Sequence, residues 1–302
     1  MTPPIPNPRQ TQSYIRDLLR SHGLMPKAKL GQNFLVDLNL LEIILTNAEL
    51  SEKDSVLEVG TGTGSLTARL ANLAGAVTSV ELDLDFHRLA KESLNWRENV
   101  QLIYADILAG KNELRSEVVR RWEEFSIERK CERKKLIANL PYAVATPVIA
   151  NLLISDIEIE RMVVMVQWEM AERLVAVPGT KDYSSLAVLT QSLADVKVIR
   201  KLGPGVFWPP PAVDSAIVLI QPNPEKRQRI DSPLKFREFL RNLYTHRRKN
   251  LRQAIVGWPT GKLDKQKVDE LIASLGMDGS QRAEMLSLND HYRLYSQFCQ
   301  VF

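Results

Sequence analysis

The stretch Val56-Leu57-Glu58-Val59-Gly60-Thr61-Gly62-Thr63-Gly64 decides the fold. A short apolar run ends in three alternate glycines and passes into Ser65-Leu66-Thr67-Ala68-Arg69-Leu70, which has the composition of a helix. Strand, glycine turn and helix make the opening of a βαβ unit, and the glycines let the main chain take positive φ and lie against a ligand. A dinucleotide fingerprint, G-x-G-x-x-G, fits in neither register, because Ser65 or Thr67 falls on the third glycine. Glu58 is out of place beside a pyrophosphate, and reads instead as a carboxylate suited to a cationic ligand.

Outward from this turn, the run Val77-Thr78-Ser79-Val80 ends in Glu81, where an acidic residue accepts hydrogen bonds from ribose hydroxyls in nucleotide-binding α/β folds. The next run, Gln101-Leu102-Ile103-Tyr104, leads into Ala105-Asp106, a carboxylate placed to meet the amino group of an adenine. Together these describe a pocket for an adenosine bearing a positive charge. S-adenosylmethionine fits it and NAD does not. A fourth run, Leu136-Ile137-Ala138, ends in Asn139-Leu140-Pro141-Tyr142. The amide oxygen of Asn139 and the carbonyl of Leu140 can both accept from an exocyclic amine. Pro141 stiffens the turn that carries them. Tyr142 offers a face for a base, a contact worth roughly 1–3 kcal/mol.

These motifs, with Leu30-Gly31-Gln32-Asn33-Phe34-Leu35, Glu81-Leu82-Asp83 and Phe207-Trp208-Pro209-Pro210-Pro211-Ala212-Val213-Asp214-Ser215, resemble the KsgA-type small-subunit rRNA adenine N6,N6-dimethyltransferases from about Lys29 to the C-terminus. The resemblance implies a class I, Rossmann-like methyltransferase. Its implied activity is dimethylation of two adjacent adenines near the 3′ end of 16S rRNA, with S-adenosylmethionine as donor and no metal. It places Asn33, Leu35, Gly60, Glu81, Asp106 and Asn139 at the donor; Gln32, Gly62, Gly64, Leu82 and Ile107 complete the expected cofactor set. Asn139, Leu140, Pro141 and Tyr142 are the expected catalytic residues, with Phe207 on the second face of the base. Ala143 and Ala138 depart from the family pattern and are expected to alter the pocket rim. The implied partner is the small ribosomal subunit or its precursor particle, engaged by a monomer in the cytoplasm. Two other readings share the donor motifs: a large-subunit adenine dimethyltransferase of the macrolide-resistance type, and an assembly factor in which methylation is secondary.

Apolar runs at residues 55–59, 77–81, 101–104, 136–139, 161–167, 196–202 and 216–221 read as strands. Helix-like segments between them, such as 38–46, 66–74, 86–96, 146–153 and 184–194, argue for a doubly wound, mainly parallel seven-stranded α/β sheet. The resemblance adds that the last strand is antiparallel. The charge-dense segment 111–135 reads as a solvated crossover helix with i,i+4 ion pairs. After the linker-like Pro222-Asn223-Pro224, residues 234–244, 247–256, 265–275 and 289–297 read as helices only. The expected organisation is a tail and lead-in at 1–28, a methyltransferase domain at 29–222 and a small all-α domain at 223–302. The proline-rich first dozen residues are expected to be a disordered tail.

Charge separates along the same boundary. From Pro222 onward there are 15 Lys+Arg against 9 Asp+Glu, and 25 against 27 before it. Arg241, Arg247, Arg248, Lys249 and Arg252 are the expected RNA contacts, because clustered cations are the footprint of phosphate binding. Two cysteines in unrelated contexts and four scattered histidines give neither a disulfide framework nor a metal spacing. No apolar stretch in the sequence is long enough to span a bilayer.

Overall fold

The structure is a computed structural model that describes residues 11–94, 97–111, 113–245, 248–258 and 263–301. It has seven main strands: β1 Asp54–Val59, β2 Ala76–Glu81, β3 Val100–Tyr104, β4 Arg133–Asn139, β5 Ile159–Gln167, β6 Ala194–Leu202 and β7 Ser215–Pro222. They form one sheet in the order β3-β2-β1-β4-β5-β7-β6. Strands β1 to β5 pair in parallel, whereas β7 runs antiparallel to β5, with Ser215 opposite Gln167 and Ile220 opposite Met162. Strands β1 and β2 are buried along their whole length, which is why parallel strands read as continuous apolar runs rather than alternations.

Eight helices interleave with these strands: α1 Gln12–Ser21, α2 Leu38–Ala48, α3 Ser65–Ala71, α4 Leu84–Leu94, α5 Ser116–Glu128, α6 Tyr142–Ile154, α7 Trp168–Leu174 and α8 Ser185–Leu193. Asp37 starts α2 by accepting from the Asn39 N–H, and Leu40, Leu41 and Ile44 then turn inward onto the sheet. Helix α5 fills the charge-dense crossover. Its outer face carries the Arg120–Glu124 pair at 2.7 Å, and its inner face buries Val118, Trp122 and Phe125. Helix α1 lies where a lead-in was expected: Thr11 caps it, and Ile15 and Leu19 pack with Phe34, Phe86 and Leu89. Thr11 and Gln12, expected in the tail, thus belong to this helix; the rest of the expected tail, residues 1–10, lies outside the described ones.

The chain divides into two compact units. The first holds residues up to 152 together with 156–171 and 197–221; the second holds 153–155, 172–196 and 222–302. The boundary expected at 222 thus differs at residues 172–196. Helix α8 looks like a crossover helix in sequence, yet it packs against α10 Pro233–Thr245 and α13 Leu288–Val301 of the second unit. That unit also contains α9 Pro224–Arg227, α11 Leu251–Val256 and α12 Lys265–Ser274. Its core is aromatic: Phe239 contacts Phe236, Trp258, Tyr295 and Phe298, with ring centroids 5.3–6.4 Å apart.

Candidate active site

Strand order reverses between β1 and β4: from β1 the chain moves to β2 on one side and from β4 to β5 on the other, so a crevice opens at their C-terminal ends, the position where open α/β sheets hold ligands. A cavity of about 490 Å3 opens there, wholly within the first unit. Its floor is the glycine turn. Gly60 has φ +87°, and a Cβ on it would stand 3.3 Å from the ring of Pro141, so a side chain would push the two motifs apart. Gly62 also lines the cavity, beside the ring of Phe34. Gly64 does not. At φ +77° it starts α3, and its missing side chain makes room for Leu94, so it serves helix packing rather than the ligand.

Glu81 ends β2 on the cavity wall. Its Oε2 accepts from the Gly62 N–H at 2.9 Å and its Oε1 from the Asp83 N–H at 2.9 Å, so the carboxylate is fixed before any ligand arrives. Burial pushes its pKa up, and these backbone donors pull against that shift. Leu82, 50% exposed, and Ile107 give the same cavity apolar surfaces for a flat ring. Asp106 is steadied by the Leu108 N–H on its Oδ1, while Arg115 donates to the Asp106 carbonyl.

Glu58 does not face the cavity as the sequence suggests. It is 1% exposed, and its Oε2 accepts from Thr67 Oγ1 and Ser79 Oγ, each at 2.6 Å. Burial drives its pKa up to about 8 against these two hydrogen bonds, and the nearby Glu81 carboxylate raises it further. Glu58 is therefore mostly neutral at pH 7 and is a strut between β1, β2 and α3.

The other wall carries the Asn139 motif. Asn139 lines the cavity, and its Nδ2 donates to the Asn33 carbonyl at 3.1 Å, which leaves Oδ1 as the acceptor of the amide. Pro141 and Tyr142 line the cavity beside it. The Tyr142 hydroxyl sits 2.6 Å from Ser215 Oγ; burial raises the phenol pKa and this contact lowers it. Leu140 lies outside the lining and is 1% exposed, so only its backbone lies near the site, between two lining residues. Phe207 is also outside the lining: 3% exposed, it packs in the core with Leu202 and Ile217, and cannot clasp a base in this geometry. Its backbone has another role. Phe207 and Trp208 pair with Leu35 and Phe34 in a two-residue antiparallel ladder that no periodicity marks. Leu35 is likewise buried, and touches a small side pocket with Gly60 and Asn139 rather than the main cavity. Gln32 and Asn33 do line the cavity. Of the two departures, Ala143 reaches the rim and Ala138 is buried inside β4.

In the second unit, Arg241, Arg248 and Lys249 are exposed. Arg247 lies outside the described residues. Arg252 is otherwise engaged: its Nε and Nη2 both bond the Asp269 carboxylate, bracing α11 against α12 instead of waiting for a phosphate. The sequence reading missed Lys27, Asp83 and Ser215. The last two sit inside quoted motifs, but their partners lie more than fifty residues away.

The family model for ribosomal RNA adenine dimethylase matches residues 24–297. A ribosomal RNA small subunit methyltransferase A from Ligilactobacillus salivarius is 37% identical over 295 residues, covering 97% of this chain and 95% of that protein. One of the same name from Halothermothrix orenii is 36% identical over 274 residues, 90% of this chain and 88% of that one. Among solved structures, a dimethyladenosine transferase from Plasmodium falciparum is similar with a TM-score of 0.71 at 23% identity, covering 89% of this chain and 98% of that chain. A 23S rRNA methyltransferase, ErmE, is similar with a TM-score of 0.59 at 23% identity, covering 89% and 100%. These two likenesses concern the fold, which is that of class I methyltransferases. With its glycine turn, its strand-end acids and its Asn-Leu-Pro-Tyr wall in one cavity, the chain belongs to the ribosomal RNA adenine dimethylase family.

Proposed function

We propose that this protein transfers methyl groups from S-adenosylmethionine to the N6 amines of two adjacent adenines near the 3′ end of 16S rRNA. The observation that carries the reading is the Asn139 side chain, which lines the same cavity as Glu81 and Asp106 with its NH2 held by the Asn33 carbonyl, leaving its oxygen as the group that accepts. The residues present fit the donor. The fixed Glu81 carboxylate suits ribose hydroxyls, Asp106 suits an adenine amine, and Leu82 with Ile107 suits the ring faces. When bound, the donor supplies an electrophilic methyl on a cationic sulfur.

An adenine amine is a poor nucleophile because its lone pair is delocalised into the ring. Asn139 Oδ1, with the Leu140 carbonyl as a second acceptor, favours a pyramidal nitrogen whose lone pair is free to attack. Tyr142 holds the base that has left its stack. Positioning of this kind supplies several kcal/mol of the barrier. The C–S bond breaks as the C–N bond forms, and the methylated ammonium releases its proton to solvent, so no side chain need act as a base. A monomethylated adenine keeps one N–H for a second round.

The proposed partner is the small ribosomal subunit or its precursor, met in the cytoplasm by a monomer, with Arg241, Arg247, Arg248 and Lys249 contacting phosphates. Relatives at 36–37% identity carry small-subunit names, which favours this over a large-subunit target. The test is to incubate the protein with labelled donor and unmethylated small or large subunits, then map the modified base. Label on paired adenines of 16S rRNA supports the reading; label on 23S rRNA alone refutes it.

A further inference from the structure

Residues 27–33 run along the cavity as a strap tied at both ends. At its start, Lys27 Nζ lies 2.9 Å from Asp83 Oδ2 and donates to Asp85 Oδ2 at 2.9 Å. Gln32 Nε2 donates to Asp83 Oδ2 at 2.8 Å, and Gln32 Oε1 accepts the Lys27 N–H at 2.7 Å. At its finish, Phe34 and Leu35 enter the ladder with Phe207 and Trp208, and the Phe34 ring meets Phe86 at 5.3 Å. Asp83 is the hub of the first tie. Its side chain is 2% exposed; burial pushes its pKa up, and the bonds from Lys27 and Gln32 more than reverse the shift.

Two further bonds give this hub a reach into the chemistry. The residue after Gln32 is Asn33, whose carbonyl takes the Asn139 NH2. On the other side, the Asp83 N–H donates to Glu81 Oε1. Donor-side carboxylate and acceptor-side amide are thus joined through one residue, by the Asp83 backbone N–H on the Glu81 side and by its buried carboxylate on the Gln32 side. If the strap shifts, the Asn139 amide loses the acceptor that fixes it. A carboxamide turned over presents donors where the substrate amine needs an acceptor.

We propose that Asp83 is a positioning residue for methyl transfer: by holding Gln32 and Lys27 it keeps the Asn33 carbonyl against Asn139, and so keeps Asn139 Oδ1 turned to the substrate. This rests on the assignment of Asn139 as the amine acceptor. It makes the half-buried Lys27 and the cavity-lining Gln32 parts of a latch, not only of a surface loop.

The test uses the full chain, unmethylated small subunits and labelled S-adenosylmethionine at saturation, under single-turnover conditions. Asp83→Ala and Gln32→Ala are each made alone and together with Asn139→Ala. Affinity for S-adenosylhomocysteine and the melting temperature are measured for all. Each single variant is expected to slow transfer roughly 10- to 100-fold at saturating donor, the penalty of a small misplacement of reacting groups. Each is expected to add less than about 3-fold once Asn139 is already alanine, because coupled residues are not additive. Equal fold-losses in both backgrounds, or a rate restored simply by more donor, overturn the positioning role while leaving Asn139 in place. An Asn139→Ala enzyme with wild-type rate overturns the site assignment, and the latch with it. Should Asp83→Ala fail to fold, Gln32→Ala unties the same bond from the strap side and decides the matter.

Discussion

Replacing Glu58 with glutamine separates a buried neutral strut from a charged ligand contact. The folded protein holds a proton on Glu58 up to about pH 8, whereas the ordinary value is 4.5. Between those limits the native state binds a proton that the unfolded chain has released, so rising pH favours unfolding. The slope is about 1.36 kcal/mol per pH step, and across the whole window it amounts to roughly 4–5 kcal/mol as an upper figure. This stability is fully present below pH 4.5 and is lost as pH rises through about 8. Glu58→Gln keeps an oxygen for Thr67 and Ser79 but cannot ionise. Its amide adds a pH-independent cost of about 1 kcal/mol if the NH2 finds no acceptor. Urea unfolding of both proteins from pH 5 to pH 9 gives the difference curve. The variant should gain on the wild type by several kcal/mol across that range, and donor affinity at pH 7 should stay within about 3-fold, since one neutral group replaces another. A flat difference curve, or a collapse of donor binding, would refute the buried-strut account and restore Glu58 to the ligand.

Glu81→Gln should weaken donor affinity by roughly 10-fold or more in calorimetric titration, because hydrogen bonds to a charged acceptor are worth about 1.5–3 kcal/mol. Gly64→Ala should cost roughly 1–2 kcal/mol of stability through its positive φ, and more through the Leu94 contact, while donor affinity of the folded fraction is unchanged. Ser215→Ala frees the Tyr142 hydroxyl and should cost about 1 kcal/mol, whereas Tyr142→Ala should remove roughly 1–3 kcal/mol of RNA-side binding, read as kcat/KM against subunits. Neutralising Arg248 and Lys249 together should reduce the slope of log K against log salt by about 1.4. Arg252→Gln should leave that slope unchanged and lower the melting temperature instead.

Strand positions and strand-end acids were legible because a parallel sheet forces its strands into apolar runs and its ligands to their C-terminal ends. Residues 55–59, 77–81 and 136–139 fall inside β1, β2 and β4, and Glu81, Asp106 and Asn139 meet at one cavity. Side-chain direction was not legible. Glu58 and Phe207 belong to motifs, yet each turns into the core, since a strand or turn residue can face either way and only its neighbours decide which. Helix α8 has no charged residue and spreads its apolar ones around the axis, so its sequence does not say whether it covers the sheet or the C-terminal helices. Arg252 looks like a phosphate contact because a carboxylate seventeen residues later, Asp269, neutralises it only once α11 and α12 pack. The Lys27–Asp83 tie was invisible for the same reason. Both residues are ordinary surface types in sequence, and the fold brings them together across fifty-six positions.

Methyl transfer by this protein turns on one oxygen atom. A structure of the protein with S-adenosylhomocysteine and a substrate RNA fragment would measure the distance from Asn139 Oδ1 to the N6 of the extruded adenine. The expected distance is that of a hydrogen bond, about 2.7–3.2 Å, with Asn139 Nδ2 still donating to the Asn33 carbonyl. An N6 bound elsewhere, or an amide turned so that its NH2 faces the base, would contradict it.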